Sequence, residues 1–137
     1  MLQRLARAER EQEAERWLLE HYFQGWAEAD PVKIVEATAP NYLFDDPLVG
    51  LFARESLARY FERLRKTFAR AGVVERQDLA FVLHGPMAAE AGKLQFWREA
   101  PRIGLTGTAQ IVVGPYGVVA DRVEYDPNLA SDLLSRA

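Results

Sequence analysis

The sequence predicts an α+β fold in which N-terminal helices pack on the concave face of a curved antiparallel sheet. Helical periodicity fills most of the chain before Gly72, and four β segments then follow one another as far as Tyr125. Short turns separate these segments, so consecutive strands are expected to pair antiparallel. The 137 residues, 49% of them hydrophobic, are expected to form one domain over residues 1–137, large enough for a core and one ligand cavity.

Composition argues against several classes of function. The chain has no cysteine, which excludes disulfides, thiolate metal sites and a cysteine nucleophile. The two histidines, His21 and His84, show no ligand spacing, and no phosphate-binding or dinucleotide-binding glycine motif occurs, so we expect no metal and no cofactor. A net charge of −3 argues against a nucleic acid partner. No apolar run suits a membrane span or a signal peptide, so we expect a cytoplasmic protein that does not bind membranes.

Two helices are predicted before the first strand. The first is expected over Leu2–Ala29, with its charged beginning outside the core. Its core-facing stripe consists of Leu18, Tyr22, Gly25, Trp26 and Ala29. Asp30-Pro31 then offers an N-cap and a proline for the first position of a short helix. This helix is expected to reach about Ala39, and Pro40 is expected to end it.

A further amphipathic helix is predicted over Arg54–Ala71, and Gly72 is expected to cap it. Its buried stripe consists of Leu57, Phe61, Leu64, Phe68 and Ala71. The β segments after it are Val73–His84, Met87–Glu99, Arg102–Val113 and Val118–Tyr125, with turns at Gly85-Pro86, Ala100-Pro101 and 114–117. A short helix over Asn128–Arg136 follows the sheet.

The stretch Asn41–Gly50 combines a short apolar strand, Tyr42–Phe44, with two adjacent carboxylates. Pro47 ends the strand because proline lacks a backbone donor and favours an extended residue before it. A carboxylate at the end of a buried strand is costly unless it is solvated, paired or used in chemistry. This stretch is therefore the first place to look for a functional site.

These elements resemble the nuclear transport factor 2-like superfamily, and within it the ketosteroid isomerases and polyketide cyclase-like proteins. The likeness is carried by the charged first helix, Asp46-Pro47, Gly50, the amphipathic helix and the four β segments, over roughly Trp17 to Asp126. It implies a cone-shaped, cystatin-like fold with a ligand cavity. It says less about the reaction, because one such scaffold hosts many functions.

The resemblance also implies a catalytic pair. In ketosteroid isomerases a tyrosine of the first helix donates a hydrogen bond to the substrate oxygen, and an aspartate before the proline moves the proton. Tyr22 and Asp46 match these two positions. A phenol is a good donor to a developing oxyanion, and a carboxylate is a suitable general base. In the alternative interpretation, Asp46 only caps the turn that follows its strand.

Ala109 stands where the isomerases carry a protonated aspartate that shares the oxyanion. A methyl group cannot donate a hydrogen bond, so the complete isomerase mechanism is not expected. Thr108 or Gln110 could replace it only if the strand register slips by one residue, which would turn the whole strand over.

Other residues are candidates for binding the ligand. Leu94 and Phe96 share one face of their strand and are preferred to the remaining aromatic residues, which are core by default. The candidate ligand-binding residues are Trp26, Phe44, Phe61, Leu94, Phe96, Ala109, Arg122 and Glu124.

The last strand allows two orientations. The resemblance favours Ala120, Arg122, Glu124 and Asp126 facing the cavity, which would give it polar walls. In the alternative, this face is solvated and Val119, Val123 and Tyr125 point into the core. The limonene epoxide hydrolases, another branch of the same fold, need an Asp-Arg-Asp set on neighbouring strands. That reaction ranks lower, because Arg98 lies near a turn and no Arg-x-Asp occurs in its strand.

Two functions follow from these expectations. The first is a cofactor-independent isomerase or cyclase that acts by proton transfer on a small apolar carbonyl or cyclic compound. The second is a non-catalytic ligand-binding or dimerisation module of the same fold. A homodimer through the outer face of the sheet is also expected. The residues expected to be exposed on that face are Thr106, Thr108, Gln110, Val119, Val123 and Tyr125.

Overall fold

The computed structural model describes residues 2–90 and 92–136. The first helix, α1, spans Leu2–Ala27, and its buried residues, Tyr22, Gly25 and Trp26, all lie in its C-terminal part. Ala29 then adopts a left-handed φ of 51°, which turns the chain. The Asp30 side chain accepts two backbone N–H groups and so caps α2, Pro31–Glu36. Both helices are confirmed, although α2 is shorter than predicted.

Six strands form one curved mixed sheet in the order β2-β1-β6-β5-β4-β3. They are β1 (Thr38–Asp46), β2 (Gly50–Ala53), β3 (Val82–Glu90), β4 (Lys93–Ala100), β5 (Leu105–Gly114) and β6 (Gly117–Tyr125). Strand β1 pairs parallel with β6, and every other pairing is antiparallel. The α+β class is confirmed, but the sheet is mixed rather than wholly antiparallel, because β1 joins it beside the last strand.

The β1 strand is longer than the predicted Tyr42–Phe44 segment. Pro40 lies inside it with an exposed side chain, between Thr38 and Leu43, where the pairing register with β6 shifts. A proline is tolerated in a strand at such an irregularity, where it removes no ladder hydrogen bond. The short strand β2 was not predicted. Only one of its four residues, Phe52, is buried, so the segment gives little periodic signal.

The predicted strand Val73–His84 is wrong in its first half, where a 3-10 turn spans Arg76–Leu79. Strand β3 then continues through Gly85-Pro86, so the turn predicted there is also wrong. The register of β3 with β4 shifts between His84 and Ala88, which accommodates the glycine and proline within the strand.

The amphipathic helix α3 spans Leu57–Thr67, with 3-10 turns before it at Arg54–Ser56 and after it at Ala69–Ala71. Gly72 caps this region with a φ of 102°. The helix buries Leu57, Tyr60, Phe61 and Leu64, of which Tyr60 was not on the predicted stripe. A last helix, α4, spans Pro127–Arg136. The core lies between α1, α3 and the inner face of the sheet.

Candidate functional site

The inner face of the sheet carries charged and phenolic groups inside the core. Asp46 and Arg98 are 0% exposed, and Asp121 is 1% exposed. Four tyrosine hydroxyls lie among them, from Tyr22, Tyr42, Tyr60 and Tyr125. We call these seven residues the interior polar cluster. Charged side chains are rarely buried this completely unless they are paired or used.

Strand register explains how the cluster forms. Phe44 on β1 lies beside Asp121 on β6, and Asp121 lies opposite Ile111 on β5. Four residues further along β6, Tyr125 lies opposite Gly107, which in turn lies opposite Arg98 on β4. Because side chains alternate between the two faces, the acid of β6 and the base of β4 both point inward.

One half of the cluster is a chain of two hydroxyls ending on a carboxylate. The Tyr22 hydroxyl donates to Asp121 Oδ2 at 2.6 Å, and the Tyr42 hydroxyl lies 2.6 Å from the Tyr22 oxygen. A hydroxyl has one hydrogen, so Tyr42 donates to Tyr22 when Tyr22 donates to Asp121. Burial first, and then the neighbouring acid, raise the pKa of the Tyr22 phenol, which keeps it a donor.

Asp121 combines burial with an unused acceptor. Desolvation raises the pKa of Asp121 to about 6, against the lowering effects of the Arg98 charge and the Tyr22 hydrogen bond. Its second oxygen, Oδ1, is buried and has no hydrogen-bond partner. Such an atom is expensive in a closed core. Asp121 can therefore accept a hydrogen bond, or a proton, from a group not present in the protein.

The other half of the cluster is centred on Asp46. Its Oδ2 accepts the Tyr60 hydroxyl at 2.9 Å and the Tyr125 hydroxyl at 2.6 Å. Its Oδ1 accepts the backbone N–H of Leu48 at 2.8 Å, which is the turn cap considered as the alternative role. Both Asp46 oxygens therefore have protein partners.

Arg98 lies in an aromatic cage beside the Asp46 half. Its guanidinium carbon is 3.7 Å from the Phe81 ring centre and 4.3 Å from that of Trp26. Nη2 donates to the Tyr60 hydroxyl at 3.3 Å, whereas Nε and Nη1 are buried without a partner. Burial disfavours the charged form, but the fields of the nearby phenol and carboxyl groups outweigh it, so the pKa of Arg98 stays above its ordinary value.

Tyr22 and Asp46, the predicted catalytic pair, both belong to the cluster but lie in different halves of it. Among the predicted ligand-binding residues, Leu94 is half-buried, and five are buried in the core: Trp26, Phe44, Phe61, Phe96 and Ala109. Arg122 and Glu124 are exposed on the outer face, so the expectation that they line the interior is wrong. Solvent is the favourable environment for these two charges.

Asp121 and Arg98 were missed as site residues by sequence reasoning. Asp121 shares one face of β6 with Val123 and Tyr125, and Arg98 lies between Phe96 and Ala100 on one face of β4. A charge at an apolar position of an alternating strand was the available signal for both. The same alternation corrects the predicted dimer face, since Val123 is buried and the Tyr125 hydroxyl is bonded to Asp46.

A groove of about 370 Å³ opens between α1 and the strands β3 and β4. Its apolar side chains are Leu19, Phe23, Pro86, Leu94 and Phe96, and charged residues of α1 stand at its rim. Phe23 and Phe96 pack edge to face, with ring centres 4.7 Å apart. The predicted ligand residues Leu94 and Phe96 both line this groove.

Two further observations concern the part of the chain that the structure describes. No helix there is long and apolar enough to cross a membrane. Over the same residues, no three histidine, aspartate or glutamate side chains come together in a way that could hold a metal ion.

No protein-family model matches the chain, and no curated protein does. Solved structures do resemble it. A nuclear transport factor 2-like protein from Burkholderia pseudomallei is 9% identical with a TM-score of 0.64, covering 89% of this chain and 98% of its own. TerC, co-crystallised with polyporic acid, is 11% identical with a TM-score of 0.64 and the same coverage. A proposed polyketide cyclase from Xanthomonas campestris is 10% identical with a TM-score of 0.59, covering 91% and 98%. The chain therefore has the nuclear transport factor 2-like fold.

Proposed function

We propose that this domain binds a small, mainly apolar molecule between α1 and the sheet and moves a proton beside one of its carbonyl or enol oxygens. The observation that carries the proposal is the free Oδ1 of Asp121, buried next to the Tyr22 hydroxyl. A free acceptor and a phenolic donor at one buried point are the two groups that enolisation needs.

In the proposed reaction Asp121 is the general base. Its Oδ1 takes a proton from the carbon next to the carbonyl, and the electrons of that C–H bond form the carbon–carbon double bond of the enolate. The enolate oxygen accepts a hydrogen bond from Tyr22 or Tyr42, whose hydroxyl hydrogen turns to it from Asp121 Oδ2 or from the Tyr22 oxygen, respectively. In a β,γ-unsaturated ketone Asp121 then returns the proton to the γ-carbon, which moves the double bond and isomerises the substrate. In a cyclisation the enolate carbon instead attacks a second carbonyl carbon of the same molecule, and Asp121 returns the proton to the alkoxide oxygen that forms. A base whose pKa is about 6 is well matched to this task near neutral pH.

In this proposal the ligand reaches Asp121 from the groove. Leu94, at the groove, lies opposite Ile111, and Ile111 lies opposite Asp121. Two strand spacings separate them, about 10 Å. A bound molecule of one or two rings would bridge that distance once Phe23 moves aside. This gives Leu94 and Phe96 the ligand-contacting role expected from the sequence.

Two of the structural neighbours support a small-molecule ligand. One was crystallised with polyporic acid, and another is described as a proposed polyketide cyclase. Because their identities are 11% and 10%, they support the class of function rather than a substrate. Asp46 keeps a supporting role in this proposal, holding Tyr60 and Tyr125 in place.

A second candidate is the non-catalytic ligand-binding or dimerisation module. It is favoured by the way aromatic rings fill the interior, with Trp26 within 5.8 Å of the ring centres of Phe44, Tyr60 and Phe61. In that function the cluster only fixes the packing of the core. Asp121 would then catalyse no reaction, and no turnover would be measured.

Deuterium incorporation separates the two. The protein is incubated in heavy water with a panel of cyclic ketones and enones, and exchange at the carbon next to the carbonyl is followed by NMR. We expect exchange above the buffer rate for at least one compound, about 100-fold slower in Asp121→Asn. Asp46→Asn is the matched control. If Asp121 is the base, this variant should retain deuterium exchange. Binding of a compound without exchange would favour the module.

A further inference from the structure

Within residues 2–90 and 92–136, three buried donor atoms of two aromatic-cage side chains have no hydrogen-bond partner, and none of them takes part in the proton transfer proposed above. They are Nε and Nη1 of Arg98 and Nε1 of Trp26. Both side chains are 0% exposed. A guanidinium carries five N–H donors, and here one hydrogen bond, to Tyr60, is formed.

This arrangement is costly in a protein that only needs a stable core. Removing a guanidinium from water costs several kcal/mol unless good ion pairs and hydrogen bonds replace the water. Within residues 2–90 and 92–136, Arg98 forms no direct ion pair. The rings of Trp26, Phe44 and Phe81 lie against it, and the carboxyl groups of Asp46 and Asp121 act on it only through their electrostatic fields. The positive charge and its free donors are thus available to an oxygen that enters from outside.

The donors lie at the inner end of the groove. Along β4 the inward-facing residues run from Leu94 through Phe96 to Arg98. Along α1 the facing residues run from Leu19 through Phe23 to Trp26. Phe23 packs on Phe96, and Trp26 lies under the Arg98 guanidinium. A molecule that enters the groove and displaces the Phe23 ring therefore meets Arg98 and Trp26 next.

We propose that the ligand of this domain carries an anionic oxygen on an apolar ring skeleton, as in a carboxylate or an acidic enol, and that Arg98 and Trp26 bind that oxygen. The inference rests on the proposed ligand site and adds the chemical class of its occupant. Arg98 Nε and Nη1 lie on opposite edges of the planar guanidinium, so one of them donates to the ligand oxygen, and Trp26 Nε1 adds a second donor. The apolar rings of the same ligand lie against Phe96 and Leu94.

Calorimetric binding of matched probes at neutral pH tests this. The first pair is naphthoate and naphthamide, which differ mainly in charge. The second is hydroxynaphthoquinone and its methyl ether, which differ in the acidic enol. Wild-type protein should bind at least one anionic member about tenfold or more tightly than its neutral partner. The pair that shows the preference identifies the source of the oxygen.

Variants assign the preference to these residues. Arg98→Met should abolish the preference for the anionic probe, and Arg98→Lys should retain part of it. Trp26→Phe should weaken binding of the anionic probe about threefold or more. Arg122→Met, which removes an exposed arginine from the outer face, should change nothing. Circular dichroism checks that each variant is folded. If Arg98→Met does not fold, Arg98→Lys and Trp26→Phe carry the test.

Equal binding of charged and neutral probes, or a preference that survives folded Arg98 and Trp26 variants, overturns the inference. So does failure of every anionic probe to bind. Deuterium exchange into neutral ketones keeps the two proposals apart. Exchange without an anion preference refutes the role of Arg98 and leaves the proposed function standing. A preference for anions with no deuterium exchange into any compound refutes the proposed proton transfer and leaves the role of Arg98 standing.

Discussion

The Tyr22 hydroxyl donates to Asp121 Oδ2 at 2.6 Å across 99 residues of sequence. It joins the predicted donor of the first helix to a carboxylate of the last strand. Because the pKa of Asp121 is about 6 in the folded protein and about 3.9 in an unfolded chain, the folded state binds more protons between these values. The contribution of Asp121 to stability therefore falls as pH rises from about 4 to about 6, and stays low above that.

Asp121→Asn should remove the loss of stability that ionisation of Asp121 causes as the pH rises. At pH 7 the variant is expected to be as stable as the parent or more stable, by at most about 3 kcal/mol, because the desolvated charge is gone. At pH 4 the two proteins should be equal within error. Urea denaturation at both pH values measures the difference. Glu124→Gln, at an exposed position of the same strand, is the control. An Asn variant destabilised at pH 7 would mean that Asp121 is a structural anion.

Asp46→Asn should act in the opposite direction. Three protein donors point at this carboxylate, and an amide nitrogen cannot accept from the hydroxyls of Tyr60 and Tyr125. We expect a loss of about 1–3 kcal/mol in unfolding free energy at pH 7. Asp45→Asn, the half-buried neighbour, is the control. Unchanged or increased stability would indicate instead that Asp46 faces a ligand pocket.

Gly25→Ala should destabilise the contact between α1 and α2. A Cβ at this position would lie 2.7 Å from Ile34 Cγ1 and 2.8 Å from the Ile34 backbone nitrogen. One helix must shift, so we expect a cost of about 1–3 kcal/mol in thermal or chemical denaturation. Gln24→Ala, on the exposed side of the same turn, should be neutral. If both variants are equally stable, α2 is less firmly held than the close contact indicates.

A homodimer through the outer face of the sheet remains a prediction, with corrected residues. Trp97 is 38% exposed there, and its strand neighbour Thr108 is half-buried. An exposed tryptophan on a paired sheet face suits a subunit contact better than water. Trp97→Glu should convert a dimer into a monomer in sedimentation velocity, whereas Gln110→Glu on the same face should have a smaller effect. A wild-type monomer at micromolar concentration would contradict the prediction.

Much of the fold followed from the sequence, because periodicity and Gly or Pro signals act locally. The helix ends at Asp30 and Gly72 and the strand β6 are examples. The turn predicted at Gly85-Pro86 was wrong because glycine and proline also occur at a register shift inside a strand. The parallel pairing of β1 with β6 joins segments far apart in sequence, and no local pattern encodes it.

The site was only partly predictable for the same reason. Tyr22 and Asp46 are in the cluster, but their partners depend on strand register. Asp121 reaches Tyr22 because β6 lies in the middle of the sheet, under the C-terminal half of α1. Arg98 was set aside for its closeness to a turn, yet alternation along β4 turns it inward.

The pH dependence of deuterium exchange tests the central claim, that buried Asp121 is the proton acceptor. Wild-type exchange into a bound ketone should rise with pH and level off, with a midpoint near the pKa of about 6 that burial gives Asp121. The midpoint should disappear with the activity in Asp121→Asn and persist in Asp46→Asn. A rate that does not vary with pH between about 4 and 8, or a midpoint unchanged in folded Asp121→Asn, would contradict it.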